Sequence, residues 1–248
     1  MKVGNNEFPL NFLFPNLVTI TSLCFGMSAI KYGLDQRWEI CIGLLVISAF
    51  LDGMDGRLAR MLNASSKFGA ELDSLTDFIN FGVAPALILY FWALESFPIK
   101  GLGWAISLTY AISVAFRLAR FNAMQGEEKE ESSFFEGIPA PCGAGLAVVP
   151  VMLSFDLDIH LFQNNPIYLS GYLLAIAFLM TSEIPTPSIK NVHIRSSLVF
   201  PLLFCSTVFI ALLIIKPWIF LPIIGAFYIL IIPVAIIKCQ FSGKSSAS

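Results

Sequence analysis

Between residues 14 and 238 the chain is a succession of apolar runs, each long enough to cross a lipid bilayer. A hydrocarbon core of about 30 Å takes about 20 residues of helix. Within lipid, a helix is the segment that satisfies its own backbone hydrogen bonds. Eight runs qualify: 14–33, 38–60, 70–95, 102–120, 138–155, 167–183, 197–215 and 218–238. The expected fold is an all-α integral membrane protein of about eight transmembrane helices, forming a single membrane domain over residues 1–248. A composition of 56% apolar and 13% charged residues excludes an ordinary soluble globule. Little positive charge precedes the first run and more membrane helix follows it, so it is expected to remain as a span rather than act as a cleaved leader. The five cysteines show no CxxC spacing and no histidine partner, and are read as small buried apolar residues.

Lysine and arginine set the orientation. With the N-terminus in the cytoplasm, the inner segments carry eleven: Lys2, Arg57, Arg60, Lys67, Arg117, Arg120, Lys129, Lys190, Arg195, Lys238 and Lys244. The outer segments carry four: Lys31, Arg37, Lys100 and Lys216. Both termini are therefore expected in the cytoplasm, in a cytoplasmic (inner) membrane. The polar loop QGEEKEESSFFEG (125–137), with its acidic stretch at 127–131, reads as a solvated connector. Nothing in the chain reads as a nucleic-acid surface.

Against this background one stretch stands apart: DGMDGRLARMLNASSKFGAELDSLTD, residues 52–77, holding four of the seven aspartates. It lies where the second and third runs meet on the cytoplasmic side. Charge inside membrane helices is costly and marks function by default. At 100° per residue, Asp52, Asp55, Gly56 and Ala59 fall within about 100° of arc on the second helix, with Arg60 at the edge. Gly69, Asp73 and Asp77 fall within about 80° on the third. The intervening MLNASSKF can turn the chain so that the two faces meet, with Ser65 or Ser66 as N-cap.

Four carboxylates in a low dielectric repel one another unless cations sit among them. Hard oxygen ligands suit Mg²⁺ or Mn²⁺ rather than zinc. Four acids can hold two ions about 3.5–4 Å apart, the arrangement that clamps a phosphoryl group during displacement. Gly56, Ala59 and Gly69 either let the helices pack closely or leave room for a substrate. Arg60 either pairs with a phosphate or snorkels to the interface.

The pattern Asp52-xx-Asp55-Gly56-xx-Ala59-Arg60, eight residues, Gly69-xxx-Asp73-xxx-Asp77 resembles the signature of the CDP-alcohol phosphatidyltransferase family at every position. That resemblance implies transfer of a phosphatidyl group from a CDP-linked lipid to an alcohol, with CMP leaving and a di-metal site activating the phosphate. It also implies roles. Asp52, Asp55, Asp73 and Asp77 would bind metal, Asp77 would double as the base, and Gly56, Ala59, Arg60 and Gly69 would shape the CDP pocket. Asp77 is the acid furthest along its helix, which suits it to meet the second substrate. Family members are commonly homodimers.

Looser features resemble the phosphatidylserine synthase branch of that family: FPNLVTITSLCFG (14–26), RLARFN (117–122), GIPAP (137–141) and the proline-rich segment ending in Lys190. They imply CDP-diacylglycerol and L-serine as substrates. Arg117 and Arg120, at i,i+3, are either cytoplasmic anchors or cations for the serine carboxylate or a lipid phosphate. Lys190, Asn16 and Thr19 are further candidates for the acceptor or lipid-phosphate pocket. Glycerol 3-phosphate, inositol and choline are the competing acceptors. A membrane prenyltransferase would carry its aspartate pairs on distant helices in Asp-xxx-Asp form. A divalent-cation transporter would place acids at several depths, whereas outside the cluster they are nearly absent from the spans.

Overall fold

The computed structural model of the chain describes residues 13–62, 64, 66–124, 134–182, 185–187 and 199–245. Helices account for nearly all of them. Helices α1 (Leu13–Leu34) and α2 (Trp38–Met61) form an antiparallel hairpin, its tight turn carrying Gln36 at φ 58°. A stripe of small and polar residues on α1 (Thr19, Ser22, Gly26, Ala29, Gly33) is buried in the packing. Such a stripe lets apolar helices approach closely and hydrogen-bond in a medium that offers no water. Ser22 Oγ donates to the Ser48 carbonyl at 2.9 Å, and Ser48 Oγ donates to the Ser22 carbonyl at 3.0 Å.

The third span runs from Lys67 to Trp92 and is one apolar unit built from three pieces. Ser66 caps it, accepting the Gly69 N–H at 3.0 Å, so of the two expected caps this one is observed. Helix α3 (Lys67–Asp77) passes into a π-helical turn (Phe78–Val83) and then α4 (Ala84–Trp92). The break has an identifiable cause. Pro85 has no N–H to give the Phe81 carbonyl four residues earlier. That carbonyl instead accepts the hydroxyl of Tyr110, fully buried on α5 (Leu102–Met124), at 2.9 Å. In the same turn Asn80 Nδ2 donates to Ser22 Oγ at 2.9 Å, tying the span to the α1–α2 hairpin. Gly26 makes room for it, since a Cβ there would lie 1.9 Å from Asn80 Oδ1.

The expected span 138–155 is two short helices, α6 (Ala140–Ala147) and α7 (Val149–Asp156). Pro150 withdraws the donor from the Leu146 carbonyl, and the Tyr172 hydroxyl replaces it at 2.7 Å. Tyr172 lies on α9 (Pro166–Thr181), which follows the single turn α8 (Leu161–Asn164). Helices α10 (Val199–Ile215) and α11 (Pro217–Ser245) are separated by Lys216 alone, at the expected proline break. The one departure from an all-helical chain among the described residues is a short antiparallel pair, β1 (Phe134–Glu136) with β2 (Pro185–Pro187), in the register Phe135 to Thr186.

Leu13–Leu34, Lys67–Trp92 and Leu102–Met124 are each long and apolar enough to cross a membrane, and shorter apolar helices accompany them. Phe50, Phe116 and Phe178 face outward while Thr19, Ser22, Ser48 and Asn80 are buried. This inside-out distribution is that of an integral membrane protein. Cysteine behaviour is mixed. Cys41 is buried and Cys142 half-buried, but Cys24 faces outward, because its position on α1 lies off the buried stripe.

The tyrosine pins carry a stability prediction. Tyr110→Phe strands the Phe81 carbonyl in an apolar interior and should cost about 1 kcal/mol. A lowered midpoint of thermal unfolding in detergent would report it.

Candidate active site

The end of α2 and the start of α3 face each other, and their carboxylates converge. One oxygen from each of Asp52, Asp55 and Asp73 lies within 4.8 Å of the others. Asp77 stands beside Asp52, completing the four-acid cluster on the side away from the helix ends. Counting 1.5 Å per residue, Asp77 lies about 15 Å along the span from Lys67, so Asp52 and Asp77 form the deep pair and Asp55 and Asp73 the shallow one.

The four acids are held differently. Asp55 is 4% exposed, and its Oδ2 accepts the Thr19 hydroxyl at 2.6 Å. Thr19 thus supports a cluster carboxylate directly. Asp52 Oδ1 and Asp77 Oδ1 are buried and have no hydrogen-bond partner. Among the described residues, no lysine or arginine forms an ion pair with any of the four. Buried anionic oxygens left unpartnered are strongly unfavourable unless a cation meets them. Acceptor-only, all-oxygen donors at this spacing fit a hard divalent ion such as Mg²⁺ or Mn²⁺.

Above the shallow pair opens a cavity of about 400 Å³, bordered by Asn16, Thr19, Asp55, Gly56, Ala59, Arg60, Ser66, Gly69 and Asp73. Every motif residue expected at a CDP pocket therefore borders one space. A Cβ at Gly56 would meet no atom within 4 Å, so the room beside this glycine belongs to the cavity. Gly69 differs: a Cβ would lie 3.0 Å from Asn16 Oδ1 and 3.1 Å from Ser66 Oγ, so this glycine serves close approach of α1. Arg60 Nε donates to the Gly56 carbonyl at 3.1 Å, which folds the side chain along the cavity rim.

On the far side of the cluster, Arg117 is half-buried, and its Nε donates to the carbonyl of Ile138 in the GIPAP segment. Asp77, Cys142, Tyr228 and Arg120 are within its electrostatic reach. The structure thus joins two of the looser sequence features directly, and the β1–β2 ladder brings a third, the proline-rich strand, alongside. Arg120 is also half-buried, one helical turn on. Lys190 lies outside the described residues. Residues that the pattern of acids did not announce are Ser22, Ser48 and Asn80 beneath the cluster, and Asn122, whose Nδ2 donates to Ser74 Oγ at 2.9 Å between α5 and α3. For Ser22 the signal was present, as the next step of the Asn16, Thr19 spacing on α1.

The chain belongs to the CDP-alcohol phosphatidyltransferase family, which matches residues 12–183, while the model described as CDP-alcohol phosphatidyltransferase 2 matches residues 197–233. The family is generally divalent-metal dependent, in keeping with the carboxylate cluster. Among curated proteins, the chain is similar to a Helicobacter pylori CDP-diacylglycerol–serine O-phosphatidyltransferase, with 41% identity over 206 residues, 82% of this chain and 84% of that one. It is likewise similar to the proteins of that name from Mycobacterium tuberculosis (34% over 227 residues, 90% and 78% of the two chains) and Bacillus subtilis (35% over 182 residues, 73% and 93%).

The support that Thr19 gives Asp55 can be measured. Removing the partner of a metal-binding carboxylate typically weakens metal affinity 10–100-fold. Thr19→Val should therefore raise the Mg²⁺ or Mn²⁺ concentration for half-maximal activity about tenfold, read by metal titration.

Proposed function

We propose that this protein transfers the phosphatidyl group of CDP-diacylglycerol to the hydroxyl of L-serine, releasing CMP. The observation that carries the reading is the convergence of all eight signature positions, Asp52, Asp55, Gly56, Ala59, Arg60, Gly69, Asp73 and Asp77, on one carboxylate cluster and the cavity above it. Serine as acceptor draws on the relatives' names and on the joined Arg117 and GIPAP segments.

Asp52, Asp55, Asp73 and Asp77 would hold two divalent ions, Mg²⁺ or Mn²⁺. Such ions, when bound, act as Lewis acids on pyrophosphate oxygens and offset charge on the departing CMP. The chain's own groups do the rest. The cavity of Gly56, Ala59, Arg60 and Gly69 takes the cytidine end, with Arg60 offering its guanidinium to phosphate. The serine hydroxyl oxygen bonds to the phosphorus of the phosphatidyl group, and the bond from that phosphorus to the CMP oxygen breaks. The hydroxyl proton passes to the Asp77 carboxylate, which lies on the Arg117 side of the cluster. Arg117 and Arg120, with Lys190 as a third candidate, receive the serine carboxylate or the lipid phosphate. Asn16 and Thr19 line the polar wall.

In the membrane we place eight spans in a single domain over 1–248, with both termini and the active site on the cytoplasmic side of an inner membrane. The lysine and arginine distribution supports this orientation. The assembly is a homodimer, as in its family.

The purified protein, given CDP-diacylglycerol and one alcohol at a time, should release CMP with serine and not with inositol, glycerol 3-phosphate or choline. Product with another alcohol instead reassigns the acceptor. Excess chelator should abolish turnover. Asp77→Asn should lower kcat at least a hundredfold without unfolding the protein, and wild-type turnover in that variant would remove Asp77 from the role of base.

A further inference from the structure

Thr19 aims Asp55 by a direct hydrogen bond. Among the described residues no hydroxyl or amide does the same for Asp77, whose Oδ1 is buried without a partner. The direction of that carboxylate is therefore set by its own backbone, and the backbone just beyond it departs from the α-helix. The π-helical turn Phe78–Val83 begins at the next residue. Its wider hydrogen-bonded ring, and the donor missing at Pro85, let α3 rotate against α4 unless the turn is held from outside.

It is held on two sides. From α5, Tyr110 donates to the Phe81 carbonyl. From α1, Ser22 accepts from Asn80, which lies three residues and about 4.5 Å along the span from Asp77. Ser22, Ser48 and Asn80 are each 0% exposed. Asn80 Nδ2 donates to Ser22 Oγ at 2.9 Å, Ser22 Oγ lies 3.1 Å from Ser48 Oγ, and each serine hydroxyl reaches the other's carbonyl. The amide oxygen of Asn80 sits against Gly26, in the space a Cβ would fill. Ser48 in turn precedes Asp52 by one turn of α2. One buried trio thus joins the residue beneath Asp52 to the residue beneath Asp77, the deep pair of acids.

Stability alone does not call for these polar groups, because replacing both members of a buried bond by apolar side chains of the same shape is often close to neutral. What bonded polar groups add to an apolar seam is a single register, since a slip leaves each of them unpartnered. We infer that Asn80 is a positioning residue. Seated in the Gly26 notch and bonded to Ser22, it fixes the rotation of the third span at the π-helical turn and so holds the Asp77 carboxylate beside Asp52, in line with the reacting hydroxyl. The inference rests on the proposed role of Asp77 and adds a residue that acts through it.

The test separates the bond from the packing. Asn80→Ala removes the bond and leaves a void. Gly26→Ala combined with Asn80→Ala puts a methyl where the amide oxygen stood, so the space is filled without the bond. Ser22→Ala removes the acceptor from the other side. CMP release is measured with full-length protein in detergent at saturating metal. A displacement of about 1 Å at a reacting group costs up to about a hundredfold, so kcat should fall at least about tenfold in all three, with KM for serine and for CDP-diacylglycerol within about twofold of wild type. Ser22→Ala with Asn80→Ala should lose no more than the worse single variant, since both remove one bond. Tyr172→Phe removes a pin of the same kind from the Leu146 carbonyl, and should lower the thermal midpoint while keeping wild-type kcat. Wild-type kcat in the filled double variant overturns the inference, as does a loss confined to KM or an equal loss of kcat in Tyr172→Phe. Ser22→Ala decides the matter on the same terms if the variants at 80 fail to fold. Wild-type turnover in Asp77→Asn would instead remove the base assignment on which the inference rests.

Discussion

Four carboxylates gathered between two apolar helices are the constraint around which this protein is organised. Each acid alone would be expelled from a low-dielectric interior, and together they repel. They stay because the helices carrying them are fixed from outside the cluster. Thr19 grips Asp55 from α1, the paired Ser22 and Ser48 hold α1 to α2, and Asn80 locks the third span to both. The Ser22–Ser48 and Asn80 hydrogen bonds lie beneath the acids, and buried oxygens of Asp52 and Asp77 have no hydrogen-bond partner. The scaffold thus uses its polar contacts to set geometry and leaves these carboxylate oxygens unpartnered.

The same hairpin explains how an enzyme of lipid and water can work at one point. The polar cavity and its carboxylates sit on helices whose outward faces are apolar, so chemistry on a charged headgroup is held beside the bilayer. The small residues of the signature fit this account in two ways. Gly56 leaves room in the cavity, whereas Gly69 lets α1 come close enough for Asn16 and Thr19 to border it.

Much of this was legible in the sequence. The apolar runs imply the helical membrane architecture, and the 3.6-residue period puts Asp52 and Asp55 on one helix face and Asp73 and Asp77 on another that can meet it. A serine cap at 65 or 66 followed from the chemistry of an N-terminus, and Ser66 is the one observed. What was hidden depended on partners far away in the chain. Nothing local to Thr19 says that it will bond to a residue 36 positions on, and nothing in RLARFN says that Arg117 will reach the Ile138 carbonyl. The span at 138–155 read as continuous because its hydropathy is continuous, although Pro150 divides it. Cys24 read as buried because cysteine usually is, while its face of α1 looks outward.

The two tyrosine hydroxyls that stand in for missing proline donors bear on how the chain is made. Phe81 and Leu146 each have a carbonyl that a proline four residues on deprives of its usual helical donor, and each accepts the hydroxyl of a residue translated later, Tyr110 and Tyr172. A span arriving in the bilayer is therefore incomplete until its successor docks. In each case a later helix completes the hydrogen bonding: α5 supplies the donor to the segment bearing Asp77, and α9 supplies it to the α6–α7 segment.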